Sequence, residues 1–128
     1  MENSFNDIDS LVLSVIHEHN QIDLVKWIGI IDFYERIILT FDELSDALEK
    51  LQKSGLVQLS DNNFSLSSEA INFFPKKFTL RNYEKIYNKL SKKDYTENAE
   101  SKFKISEIEY SEALNQYRNM VKRLTRTI

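Results

Sequence analysis

Apolar residues recur at intervals of three and four in the first third of the chain, the spacing that aligns side chains on one face of an α-helix. The first run predicts a helix that begins after Asp7 or Asp9 as the N-cap and ends near His19. A second helix begins at Asp23 and continues through LVKWIGIIDFYER. Because this run is apolar on nearly every side, we expect it to be the central and most buried helix. Gly29 lies in the middle of this helix, where a glycine lowers the helix propensity. A close crossing with another helix would explain a glycine at this position.

A third helix and a β-hairpin follow, and local signals mark the ends of both. Thr40 and Glu43 have the spacing of a capping box, in which two side chains satisfy free amides at a helix start. Gly55 lies just after the predicted helix, at the position where a residue in the left-handed backbone conformation commonly ends a helix. Beyond it the apolar period changes to two, and DNN at 61–63 tolerates the positive φ of a hairpin turn. The buried stripe predicted for the helix comprises Phe41, Leu44, Leu48 and Leu51.

The chain becomes helical again after the hairpin. Ser67 or Ser68 predicts the cap of a short helix that stops at Pro75. The segment LRNYEKIYNKLSKK predicts a longer helix, and residues 94–101 are predicted to form a polar linker because they have no apolar period. The apolar face expected on the longer helix comprises Leu80, Tyr83, Tyr87 and Leu90.

The last predicted helix opens with a second capping box, Ser106 to Glu109. Its apolar residues alternate at intervals of four and three, the heptad spacing of paired helices. The seam spans about two and a half heptads, which is short for a free-standing coiled coil. Packing within the chain and pairing in a homodimer therefore both remain open. This predicted helix-pairing seam comprises Tyr110, Leu114, Tyr117, Val121, Leu124 and Ile128.

The segment FDELSDALEKLQKSGLVQLSDNNFSLSSEA, residues 41–70, resembles the winged helix-turn-helix superfamily, and LEKLQKSGLV with the polar hairpin tip is its most specific part. With the preceding helices the resemblance covers about residues 8–74. It is nearest in kind to small bacterial winged-helix proteins without an assigned activity. The resemblance implies that residues 41–54 are the recognition helix and that residues 56–67 are the wing.

The fold class expected from pattern and resemblance together is mostly α. A winged-helix core of three helices and a two-stranded hairpin is expected at residues 1–75. Two additional helices at residues 76–128 would pack on this core or in a dimer, giving one compact domain overall. Two Gly and one Pro agree with a largely helical chain.

The composition of the chain argues against cysteine-based chemistry and against a membrane-spanning or secreted protein. The chain has no Cys, which excludes disulfides, thiolate catalysis and cysteine metal sites. The apolar run LVLSVI is too short to span a bilayer and lacks the basic flank of a secretory signal, so we expect a cytoplasmic protein and no membrane partner.

Charge is divided unevenly along the sequence. Residues 1–75 carry four basic and thirteen acidic side chains, and residues 76–128 carry thirteen basic and seven acidic ones. The two parts have net charges of −9 and +6, within a total of −3. Such asymmetry indicates an interaction surface or two parts that attract each other.

The predicted recognition helix lies in the acidic part. DNA affinity depends largely on cations that neutralise phosphates, and the helix and wing tip bring mainly carboxylates and amides. This pattern argues against conventional DNA binding. It favours a solvated face on a packing helix, or else an acidic interaction face that imitates DNA or serves an antitoxin-like role. The residues of this acidic face are Asp42, Glu43, Asp46 and Glu49.

A basic segment follows the hairpin and is the alternative candidate for nucleic-acid or anion contact. Tyr83, Tyr87 and Tyr95 lie beside it and could stack on bases, although their apolar spacing favours the core. Its cations are equally typical of a solvated face or of pairing with the acidic part of the same or another subunit. They are Lys76, Lys77, Arg81, Lys85, Lys89, Lys92 and Lys93.

The sequence predicts neither an enzyme nor a cofactor or metal site. His17 and His19 are two residues apart, so on a helix they point to different faces and cannot share a metal. Asp32 on the second helix is explained by an ion pair with Arg36 one turn later. No glycine-rich phosphate loop or nucleophile elbow is present.

The function expected from these observations is that of a non-catalytic winged-helix protein, a protein-interaction or regulatory adaptor module. The alternative is a DNA-binding transcriptional regulator that contacts phosphates through residues 76–93. We expect a protein partner or a homodimer, and the sequence shows no signal for a small-molecule ligand.

Overall fold

Residues 4–126 are described in the computed structural model, with side chains described through Leu124. This part of the chain is mostly helical, and three helices precede one antiparallel hairpin, as the sequence predicted. A 3-10 turn at Leu80–Asn82 precedes the fifth helix. The elements are α1 (Asp7–Glu18), α2 (Leu24–Glu35), α3 (Phe41–Lys53), β1 (Val57–Ser60), β2 (Asn63–Leu66), α4 (Ser68–Ile71), α5 (Tyr83–Leu90) and α6 (Glu107–Arg126).

The start of α1 is fixed by a capping box whose N-cap is Asn6, rather than by Asp7 or Asp9 as predicted. Asn6 Oδ1 accepts a hydrogen bond from the Asp9 amide at 2.9 Å, and Asp9 Oδ2 accepts one from the Asn6 amide at 2.9 Å. Asp9 therefore serves as the N3 partner of the box. The prediction was wrong because an asparagine caps a helix as well as an aspartate does.

The most buried helix is α1, so the prediction that α2 holds this position was wrong. Every residue of α1 from Asp9 to Ile16 is buried, and α2, α3 and α5 all pack against it. In α2 only Trp27, Ile28 and Ile31 are buried. The remaining apolar side chains make the pattern of α2 apolar all round, but they are less buried: Leu24, Val25 and Ile30 are half-buried and pack against the core, whereas Phe33 and Tyr34 are exposed.

The third helix and the hairpin follow the predicted details closely. The Thr40 and Glu43 capping box is present, with bonds of 2.8 and 3.1 Å, and Gly55 takes φ = 77°. Asp61 and Asn62 have φ of 50° and 63° in a two-residue turn, the conformation of a type I′ hairpin. In the register Val57 pairs with Leu66 and Leu59 with Phe64. Leu44, Leu48 and Leu51 are buried as predicted, and Phe41 is half-buried.

The loop between α1 and α2 ties the hairpin tip to the helices. The Phe64 amide donates to Asn20 O at 2.7 Å, and the Ile22 amide donates to Asn62 O at 3.3 Å. Trp27 of α2 is buried against the Phe64 ring, with centroids 5.7 Å apart. These contacts hold β2 in a fixed position beside α2.

The segment after the hairpin is less helical than predicted. The short helix ends at Ile71 and not at Pro75, and the next helix begins with the 3-10 turn, so α5 is regular only from Tyr83. Ile86 and Leu90 are its buried residues, whereas Tyr83 and Tyr87 are half-buried. A 3-10 turn has three residues per turn, so it shifts the phase of the apolar face relative to an α-helix that begins earlier.

Candidate interaction surfaces

The acidic face of α3 is open to solvent at its beginning. Asp42 and Asp46 are exposed, and Glu43 and Glu49 are half-buried. Glu43 caps the helix, and Glu49 pairs with Lys53 at 2.6 Å. The structure thus brings the four predicted residues together along one helix, but two of them already have partners within the chain.

The other basic residue of α3, Lys50, pairs with a carboxylate that is more deeply buried. Lys50 Nζ lies 2.7 Å from Asp9 Oδ2, and the Asp9 residue is only 1% exposed. Burial raises the pKa of the Asp9 carboxyl, and the Lys50 ammonium opposes that rise. Lys50 therefore neutralises a buried carboxylate, and its charge is not available to an external phosphate.

A segment that we call the strap, residues 94–105, crosses the end of α3. The amides of Asn98 and Ala99 donate to Lys53 O at 2.8 and 3.1 Å. The buried Gln52 Nε2 donates to Phe103 O at 2.8 Å, and Gln52 Oε1 accepts from the amides of Lys102 and Phe103 at 3.0 and 2.8 Å. The predicted linker lacks regular structure as expected, yet it is fixed to the helix.

The tip of the hairpin carries no cation. Asp61, Asn62 and Asn63 are exposed and form the turn and the first position of β2. Together with the engaged lysines of α3, this leaves α3 and the hairpin without a free basic residue in the part of the chain that the structure describes.

The predicted basic segment includes α5 and extends beyond both of its ends. Lys89 Nζ donates to Phe73 O at 2.9 Å, and Lys93 Nζ pairs with Glu69 at 2.9 Å. The other five are exposed, and within residues 4–126 they form no ion pair with an acidic side chain. Those five are Lys76, Lys77, Arg81, Lys85 and Lys92.

The predicted seam of α6 is divided into two halves. In the first half Tyr110 and Ala113 are buried, Leu114 and Tyr117 are half-buried, and the Tyr110 phenol donates to Leu39 O. This half packs on α2 within the chain. In the second half Val121 is 40% and Leu124 is 65% exposed. Ile128 lies outside the described residues.

A close helix crossing joins α6 to α2 at Gly29, as its position predicted. A Cβ atom at Gly29 would lie 3.1 Å from Tyr117 Cε1, so the tyrosine ring rests directly on the helix backbone. The Tyr117 phenol donates to Asp32 Oδ2 at 2.5 Å, and this bond is the largest cause that raises the Tyr117 pKa to about 12. Asp32 and Arg36 form no ion pair in the described chain; the predicted pair was wrong because α2 ends there, with Arg36 as a left-handed C-cap.

Beside this crossing lies an apolar surface that the sequence did not predict. Phe33 is 72% exposed and its ring packs edge-on against Tyr34, with centroids 5.1 Å apart. Ile37, Ile38 and Met120 are exposed as well. The all-round apolar pattern of α2 contains the signal for this surface, but such a pattern predicts burial in the core as well as an exposed apolar surface. We call the depression here the α2–α6 groove; it is lined by Asp23, Val25, Lys26, Gly29, Ile30, Phe33, Tyr34, Tyr117 and Met120.

Comparisons with known proteins give no family for the chain. No protein-family model, curated protein or solved structure matches it. Across residues 4–126, no group of three His, Cys, Asp or Glu side chains is arranged to hold a metal ion. None of the helices in the described part of the chain has both the length and the apolar composition needed to cross a bilayer. Inference about function therefore rests on the surfaces of the chain itself.

Proposed function

We propose that the chain is a winged-helix protein that acts by binding another protein and not by catalysis. The observation that carries this proposal is the exposure of large apolar side chains on and beside α2, with Phe33 at 72%. Contiguous exposed apolar groups of this kind are typical of protein-protein interaction sites. Scattered single apolar residues would carry no such meaning.

The composition of this surface supports a protein partner in particular. Phe33, Tyr34 and Met120 belong to the residue types that are enriched at protein interfaces. Gly29 and Tyr117 line the groove in contact with each other, and the hydrogen bond from Tyr117 to Asp32 holds the tyrosine ring in place. A rigid concave surface costs little conformational entropy when a partner binds.

The electrostatics of α3 support the same proposal against conventional DNA recognition. Asp42 and Asp46 would face the phosphates of a duplex, whereas Lys50 and Lys53 already pair with carboxylates. The strap also occupies the C-terminal end of the helix through Gln52. Binding a polyanion with this face would require breaking ion pairs without gaining phosphate contacts.

A second candidate function is DNA binding through the basic segment. The observation that favours it is the set of five exposed cations without an ion pair among the described residues, which include Arg81 and Lys85. Such a cluster would support sequence-independent contact with phosphates. In that case the chain would be a transcriptional regulator that docks on DNA with α5 and not with α3.

Titration with a short duplex DNA at low and at physiological salt separates the two functions. The test compares the native chain with an Arg81→Glu/Lys85→Glu variant. A matched control, Lys102→Glu/Lys104→Glu, changes the same charge at exposed positions outside the basic segment. We expect no saturable binding by any of the three proteins.

Micromolar affinity with a steep salt dependence would overturn the protein-binding proposal if the first variant alone lost it. Equal loss in both variants would indicate a diffuse charge effect and would leave the basic segment without a specific role in DNA contact. Absence of binding even at low salt removes DNA as the ligand.

A further inference from the structure

The hairpin register directs backbone groups of β1 away from β2. Val57 pairs with Leu66 and Leu59 pairs with Phe64. The Phe64 amide donates to Asn20 O and not to β1, so Leu59 and Phe64 form a pair without cross-strand hydrogen bonds. Such pairs recur at every second residue of an antiparallel ladder. Val57 and Leu59 therefore both direct their N–H and C=O groups to the outer edge of β1.

The outward groups of this edge have no hydrogen-bond partner among residues 4–126. Val57 is only 1% exposed, so its backbone N–H and C=O are buried without a partner. Native proteins pair nearly all of their buried backbone groups, because an unpaired one loses its bonds to water and gains none in return. By contrast, the β2 edge is closed near the turn by Asn20 and Ile22. The β1 edge thus carries donors and acceptors that an additional strand could use.

A cleft of about 360 Å³ lies beside this edge, between β1 and the strap. The strap is bound to α3 through Lys53 and Gln52, and in the described chain it makes no backbone hydrogen bond to β1. Leu59 is half-buried and the strap residues of the cleft are exposed, so the cleft is open to solvent. The residues of β1 and the strap that line it are Val57, Gln58, Leu59, Ala99, Glu100 and Lys102.

We propose that this cleft receives a short extended segment of a partner protein, which adds to β1 as a third strand. An extended backbone presents N–H and C=O groups along one edge at every second residue, which is the spacing of Val57 and Leu59. A helix cannot supply these bonds, because its backbone groups are paired within the helix. The cleft shares no residue with the α2–α6 groove, so it is a second site that goes beyond the proposed function.

The chemistry of β1 indicates which residues the segment carries. The strand, VQLS, has no charged residue and no Pro, which are residues that protect exposed edges from pairing. Side chains of the segment that lie on the face of Val57 and Leu59 should be apolar, since that face also carries the buried Phe64. Those between them share the face of Gln58 and Ser65, which are exposed, and should be polar. The expected ligand is therefore an extended segment in which apolar and polar residues alternate.

Calorimetric titration of the full chain with a capped hexapeptide of alternating Val and Thr tests this proposal. We expect saturable binding, because the main-chain hydrogen bonds supply the affinity of an added strand. Two further peptides carry N-methyl groups on the Val amides or on the Thr amides, which lie on opposite edges of the extended peptide. One of the two should lose affinity by about tenfold or more, and the other should bind as the parent does. Loss on Val methylation indicates an antiparallel added strand, and loss on Thr methylation a parallel one.

The matched protein variants are Leu59→Pro and Leu66→Pro, since both leucines are half-buried and both amides point away from the partner strand. Proline is tolerated where a strand amide is not used in the ladder. Leu59→Pro removes an outward amide of β1 and should weaken peptide binding by about tenfold or more. Leu66→Pro removes one on β2 and should leave binding unchanged. Circular dichroism verifies that both variants fold.

Absence of binding by the native chain would overturn the strand site. Equal affinities of the two methylated peptides would also overturn it, since contact through side chains does not depend on one edge of the backbone. Loss of binding in Phe33→Glu would assign the peptide to the exposed apolar surface of α2 and remove it from β1. By contrast, failure of the proposed function appears in the DNA titration, as binding that requires Arg81 and Lys85.

Discussion

Tyr117 of α6 donates its phenol proton to Asp32 of α2 at 2.5 Å, and this bond holds α6 against the helix that it crosses. Removing the hydroxyl in Tyr117→Phe leaves the Asp32 carboxylate without this donor. We expect the free energy of unfolding to fall by about 1 kcal/mol, as for a typical lost hydrogen bond. Urea denaturation measures the change. Tyr34→Phe is the matched control, since Tyr34 lies on α2 and is 39% exposed.

The same bond predicts a loss of stability in alkali. The Tyr117 pKa is raised from 10.0 to about 12, so the folded chain holds the phenol proton more tightly than the unfolded chain does. A raised pKa contributes stability that is complete below the unfolded value and is lost as the pH rises through the folded one. Tyr117→Phe should therefore show a flatter decline than the native chain between pH 10 and pH 12. Parallel declines would contradict the assignment.

The contact between Gly29 and Tyr117 predicts that a normally stabilising substitution will fail here. Replacing glycine by alanine inside a helix gains about 1 kcal/mol. In Gly29→Ala, however, the new methyl group would meet Tyr117 Cε1 at 3.1 Å, and the bond to Asp32 limits how far the ring can move. We expect no gain, or a loss, in the native background and a gain of about 1 kcal/mol in a Tyr117→Ala background. Equal effects in both backgrounds would show that the crossing is not tight.

The ion pair of Lys50 with Asp9 predicts a destabilisation that depends on pH. In Lys50→Met the buried carboxylate loses the ammonium that opposes the rise of its pKa. Breaking a buried pair from one side costs about 3 kcal/mol. Because a raised acid pKa favours the protonated form in the folded chain, stability from Asp9 is retained at low pH and lost as the pH rises through the folded pKa. Lys50→Met should therefore lower the free energy of unfolding more at neutral pH than in mild acid, as measured by urea denaturation at both pH values.

The double variant Asp9→Asn/Lys50→Met is the control for that prediction. It removes the carboxylate charge together with its partner, so much of the lost stability should return and the pH dependence should weaken. A cost for Lys50→Met that stays constant with pH would indicate lost packing of the lysine stem and not an uncompensated charge.

Gln52 predicts how firmly the strap is held on α3. Gln52→Ala removes the bonds to Lys102 and Phe103 and leaves their backbone groups without these partners. We expect a loss of about 2 kcal/mol in unfolding free energy and faster proteolysis within residues 94–105. Gln58→Ala, an exposed glutamine on β1, is the matched control. Unchanged cleavage of the strap would mean that the amides of Asn98 and Ala99 hold it without Gln52.

The sequence predicted the local features of the fold well, because their causes lie within a few residues. The capping box from Thr40 to Glu43, the left-handed Gly55 and the turn at Asp61 and Asn62 each depend on short-range chemistry.

The errors arose where distant parts of the chain decide the outcome. An apolar pattern does not tell whether Phe33 meets the core, another helix or a partner, so α2 was placed at the centre that α1 occupies. The partner of Asp32 is Tyr117, 85 residues away, and spacing within one helix gives no information on such a contact. The strap was missed for the same reason, because it depends on the buried carboxamide of Gln52.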